Sequence, residues 1–114
     1  RRVGGLRIGE GTDPEVEVKS SLVIGVLQVA IRLPDSHSLK EKRRVVKSLV
    51  TRIRNKFNVS ISEVDSQDSW QLATVAVAHV GNTRSYTNEV LDQVLRFLEE
   101  IKKIEVIDSK LELF

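Results

Sequence analysis

The sequence predicts an α+β domain in which two amphipathic helices lie on one face of a four-stranded antiparallel sheet. Three observations carry that expectation. Apolar residues recur at helical spacing over 38–57 and 84–102, while branched residues cluster in strand-like runs over 22–33, 59–64, 70–80 and 105–114. The elements therefore follow the order β-α-β-β-α-β, and two right-handed crossovers then build one sheet with both helices on the same side. At 114 residues and 40% apolar content, the chain has the size of a single domain with a modest core.

The first strand, Leu22 to Leu33, places Val23, Leu27, Val29, Ile31 and Leu33 on one face and Ile24, Val26, Gln28, Ala30 and Arg32 on the other. Both faces are apolar near its start, which suits a central strand. Pro34-Asp35-Ser36-His37 leads into the first helix. Ser38 and Glu41 have the spacing of a capping box, in which hydroxyl and carboxylate satisfy backbone donors at the helix start. Leu39, Val46, Leu49, Val50, Ile53 and Phe57 form the buried stripe, and Asn58 can take the left-handed conformation past the end. Val59 to Val64 and Trp70 to Val80 read as a hairpin around the turn cluster Ser66-Gln67-Asp68-Ser69. Asn82 or Thr83 caps the second helix, with Tyr86, Val90, Val94, Phe97, Leu98 and Ile101 as its stripe, widened by Leu91 and Leu95. Glu105 to Phe114 closes the sheet, with Ile107, Leu111 and Leu113 on one face. The resulting arrangement is the ferredoxin-like βαββαβ two-layer sandwich, with strands 22–33 and 70–80 central.

The charge is unevenly distributed. Lys40, Lys42, Arg43, Arg44, Lys47, Arg52, Arg54 and Lys56 crowd the first helix against the single acid Glu41, whereas the whole chain carries only +2. Lys40, Arg43, Arg44, Lys47 and Arg54 share one flank. Like charges at 40/44 and 43/47 repel by roughly 0.2–0.5 kcal/mol per pair. Two readings fit the stripe: a solvated face bridged to acids of the same fold, or a surface for phosphates of nucleic acid. The sheet face turned away from the helices is also expected to carry apolar residues. Ile24 and Val26 on one strand, with either Val75 and Val77 or the Ala76 set on the other, are expected there, and Ile24, Val26, Val75 and Val77 are the candidates for an oligomer interface.

Several chemistries are excluded or disfavoured. The chain has no Cys, so disulfides, thiolate metal sites and Cys nucleophiles are absent. No apolar run is long enough to span a bilayer, and no apolar core follows the basic start as a signal peptide requires. The loop 33–38 lacks the glycines of a phosphate cradle, although N–H groups at the helix start could hold an anion. His37 and His79 are too few for a metal site; His37 is expected to bond within its loop and His79 to lie near solvent. Asp65 and Asp68 read as turn residues. The central strands lack interior aromatics, so base stacking on the sheet is disfavoured, and Trp70 at a strand end is the only aromatic there. It would serve as an RNA contact beside the basic helix or as a lid on the core.

The motifs Ser38-Leu39-Lys40-Glu41-Lys42-Arg43, Phe57-Asn58-Val59-Ser60, Glu63-Val64 and Gln67-Asp68-Ser69-Trp70-Gln71 together carry a resemblance to the small bacterial YlxP-like family, of unknown function. The resemblance covers about residues 22 to 114. Residues 1–21 form an N-terminal tail outside that pattern. The resemblance implies a ferredoxin-like fold and brings no established catalytic residues. The gene neighbourhood of the family implies an association with ribosome assembly or RNA.

The expected function is therefore that of a non-enzymatic, cytoplasmic protein, binding RNA or the ribosome through Lys40, Arg43, Arg44, Lys47 and Arg54, with Trp70 alongside. The alternative is a regulatory or scaffolding module whose open sheet face binds a protein or small ligand. A homo-oligomer, most simply a dimer, is expected through Ile24, Val26, Val75 and Val77. No cofactor, metal, membrane or catalytic residue is expected.

Overall fold

The computed structural model describes residue 18 and residues 20–114. Most of the expected tail over 1–21 lies outside the described residues. Six elements follow in order: β1 (Val23–Arg32), α1 (Leu39–Lys56), β2 (Ser60–Asp65), β3 (Leu72–Gly81), α2 (Arg84–Glu99) and β4 (Glu105–Leu113). All neighbouring strands are antiparallel, in the order β2-β3-β1-β4. The layout is the ferredoxin-like one, with β1 and β3 central.

Strict alternation on β1 sorts the core from the open face. Leu27, Val29 and Ile31 are buried beneath the helices, where they meet Val46, Leu49 and Ile53 of α1 and Leu91, Val94 and Leu98 of α2. The register Leu27↔Val77 and Val29↔Val75 then decides the orientation of β3, because directly opposed residues share a face. Of the two expected sets, Val75 and Val77 are fully buried in the core and do not belong to the open face, which removes them from the candidate interface. Thr74, Ala76, Ala78 and Val80 of β3 lie there instead, opposite Ala30, Gln28, Val26 and Ile24. Ile24 and Val26 do face outward.

The same parity corrects His79. It follows Val77 on the helix-facing side and is buried, its Nδ1 3.1 Å from the hydroxyl of Thr87 on α2. Tyr86 packs edge-on against its ring rather than joining the apolar stripe of α2, which consists of Thr87, Leu91, Val94 and Leu98. Gly25 permits this close seating: a Cβ there would lie 2.5 Å from Thr87 Cγ2 and 2.6 Å from Leu91 Cδ1.

Helix ends follow local chemistry. Ser38 Oγ accepts from Glu41 N at 3.1 Å, while the Glu41 carboxylate reaches one residue further back than a capping box requires, to His37 N at 2.6 Å. The chain leaves α1 extended at Phe57, whose ring meets Phe97 edge-on at 5.9 Å, so no left-handed residue is used at Asn58. α2 stops at Glu99, short of Lys102, and a turn brings the buried Ile104 to the start of β4. An irregularity opposite Ala30/Ile31 packs Val106 against the core and leaves Ile107 exposed, unlike a strand with Ile107 in step with Leu111 and Leu113.

Candidate nucleic-acid interface

Burial of one face of α1 determines what the other can do. Lys42, Val46, Leu49 and Ile53 face the core, at spacings of four, three and four. That leaves Lys40, Arg43, Arg44 and Lys47 exposed on the outer face. Among the described residues, ion pairs join Lys42 to Glu63, Arg96 to Asp92 and Lys110 to Glu112. No described carboxylate therefore lies within ion-pair distance of these four outer cations. Glu41, the one acid of the helix, is occupied by the cap. Arg54 is set apart from them: its Nη2 donates to the Ile61 carbonyl of β2 at 3.1 Å, which fixes it over the sheet edge. Arg52 and Lys56 lie over the Phe97 ring, each 5.2 Å from its centroid.

Lys42 has a different role, which counting charges along the helix misses. Its side chain is completely buried, with Nζ 2.7 Å from Glu63 Oε2, 2.7 Å from the Ser66 carbonyl and 3.4 Å from that of Gln67. Glu63 Oε2 is sealed from solvent and meets no other polar partner among the described residues. The available signal was periodicity, since Lys42 falls in step with the apolar stripe. Glu63 reaches it because it shares the core-facing side of β2 with Ile61.

This contact ties the hairpin turn, and Trp70 just beyond it, to the first half of α1. Trp70 is 57% exposed and so does not cover the core. On the other flank, Gln71 Nε2 donates to the carbonyls of Pro34 and Ser36, at 3.2 and 3.1 Å, and holds the loop before α1. The carboxylate of Glu41 stands at the helix N-terminus, where an anion would otherwise sit. Asp65 serves the local backbone, its Oδ1 accepting from Ser66 N, whereas His37 is exposed and engages its loop through its backbone N–H, which donates to Glu41.

The structure thus brings together Lys40, Arg43, Arg44 and Lys47, ties the hairpin that bears Trp70 to the same helix through Lys42, and turns Arg54 away. Ile24 and Val26 lie on the opposite layer. A second feature escaped the sequence altogether. A groove of about 610 Å³ runs between α1 and α2, with Val45, Leu49 and Phe97 among its apolar lining and Arg44, Arg52, Lys102 and Lys103 among its cations.

A family model described as a protein of unknown function (DUF503) matches residues 24–111. The chain belongs to the DUF503 family. Uncharacterized protein YlxP of Bacillus subtilis (strain 168) is 41% identical over 92 residues, covering 81% of this chain and 100% of that protein. The DUF503 match runs from β1 to near the end of β4, and so contains the stripe, the hairpin and the groove. The residues carrying the YlxP-like resemblance divide by use. Ser38, Glu41, Lys42, Glu63 and Gln71 are consumed by capping, ion pairing and loop support, whereas Lys40, Arg43 and Trp70 are exposed. Neither described helix is long and apolar enough to cross a membrane.

Proposed function

We propose that this protein is a non-catalytic RNA-binding factor of the cytoplasm, acting on the ribosome or its maturation through the outer face of α1. One observation carries the reading. Lys40, Arg43, Arg44 and Lys47 are exposed together on one helix, and no described carboxylate neutralises them. Such a face repels itself, and phosphates relieve that repulsion while releasing their counterions. Trp70 offers a ring for an adjacent base. The ribosomal setting rests on the association that the YlxP-like resemblance implies. A salt titration tests the reading. Four phosphate contacts predict a slope of about −3 for log binding constant against log salt, so affinity for RNA falls roughly 50- to 150-fold between about 50 and about 200 mM. A salt-independent affinity would contradict it.

A second reading concerns the opposite layer, and one row of residues favours it. Val80, Ile24 and Phe114 lie side by side across three strands of the open face, 66%, 36% and 66% exposed. A second copy of the chain would cover this row. Sedimentation velocity should then show a dimer that Val26→Asp converts to monomer. A monomeric wild-type protein would exclude the arrangement.

A further inference from the structure

We infer that the groove between α1 and α2 receives unpaired nucleotides, so that the protein prefers single-stranded or looped RNA to duplex. The inference rests on the RNA-binding reading and deepens it.

Two chemistries meet in this groove. Arg44 and Arg52 come from α1, and Lys102 and Lys103 from the turn after α2, against Glu100 as the one acid in the lining. Between these cations the lining is apolar, with Val45 and Phe97 both only partly buried. Duplex RNA presents phosphates to such a site but keeps its base faces stacked within the helix, so the apolar lining stays wet. An unpaired strand satisfies both parts, with phosphates on Arg44, Lys102 and Lys103 and a base against the Arg52 guanidinium, which together with Lys56 already covers the Phe97 ring. Size permits this. The groove's volume of about 610 Å³ falls within the range that holds ligands of nucleotide size, about 300–1,000 Å³. Position supports it as well, because Arg44 belongs both to the outer stripe and to the groove wall. A strand lying along Lys40, Arg43 and Lys47 therefore enters the groove without leaving positive charge. A single RNA strand matches the charge of the rim; an acidic protein segment is the competing occupant.

The test compares fluorescence anisotropy of one labelled oligoribonucleotide of mixed sequence, about 12 nucleotides long, as a single strand and annealed to its complement. The single strand should bind about tenfold more tightly than the duplex, the worth of roughly one stacked base. Two variants address the groove without touching the core: Lys102→Ser with Lys103→Ser, and Ser48→Glu, which places a carboxylate in the lining from an exposed position. The ratio of the two affinities is read, because loss of positive charge weakens both. It should fall from about ten to about one in each variant. Equal wild-type affinities, or a ratio unchanged in both variants, would overturn the groove while leaving the α1 reading intact. Failure of the wild type to bind either RNA would remove both readings. Displacement of the single strand by poly-glutamate more effectively than by unlabelled RNA would make the occupant an acidic protein and also overturn the inference.

Discussion

Replacing Lys42 with alanine should destabilise the fold by about 3–5 kcal/mol, measured as a lowered urea midpoint. Domains of this kind are stable by only about 5–15 kcal/mol, so a large share of the total is at stake. The cost arises from what is left behind. Glu63 Oε2, itself sealed from solvent, loses its one partner among the described residues, and the Ser66 carbonyl loses its 2.7 Å bond. Ser66 is also held at φ 64, a left-handed conformation unusual for a residue with a Cβ, and the ammonium helps to fix that turn. Lys42→Met keeps most of the side chain's packing and isolates the loss of charge. Adding Glu63→Leu to Lys42→Met should restore most of the stability, because two apolar groups no longer require each other. A loss below about 1 kcal/mol for Lys42→Ala would mean that the pair behaves like a surface ion pair.

Reversing Arg43, Arg44 and Lys47 to Glu should reduce RNA affinity by at least about a hundredfold, since three attractive contacts become repulsive ones. All three side chains are exposed, so the fold should be retained. The repelling pair 40/44 becomes an attractive Lys–Glu pair, while 43/47 remains a like-charge pair of opposite sign, so the melting temperature should be unchanged or slightly raised. A folded triple variant that binds RNA as the wild type does would remove the stripe from any account of binding.

Element order, the cap on Ser38 and the central placement of β1 and β3 were legible because each has a local signal in spacing or residue type. The parity of β3 was not, since Val75 and Val77 alternate with Ala76 and Ala78 and both sets are apolar. Side-chain size was the usable hint: the larger valines fill the core and the alanines line the open face. Lys42 was readable in principle from its step with Val46, Leu49 and Ile53, but a lysine within a basic run invites counting as surface charge. Its partner Glu63 depends on β2 lying beside α1, which no spacing reveals. The irregularity in β4 carries no local signature either. The groove has no signal along the chain, because Arg44 and Arg52 are brought to Lys102 and Lys103 only by the packing of two helices distant in sequence. Read along the chain, Lys102 and Lys103 merely balance the acids of α2.

The most direct test of an outward-facing charged helix meeting an external polyanion is ultraviolet crosslinking in cell lysate, with nucleotide-bearing peptides located by mass spectrometry. Adducts are expected on peptides from residues 40–54, and they should disappear when ribonuclease is added before irradiation. Adducts confined to the open sheet face, or a complete absence of ribonuclease-sensitive adducts, would contradict this expectation.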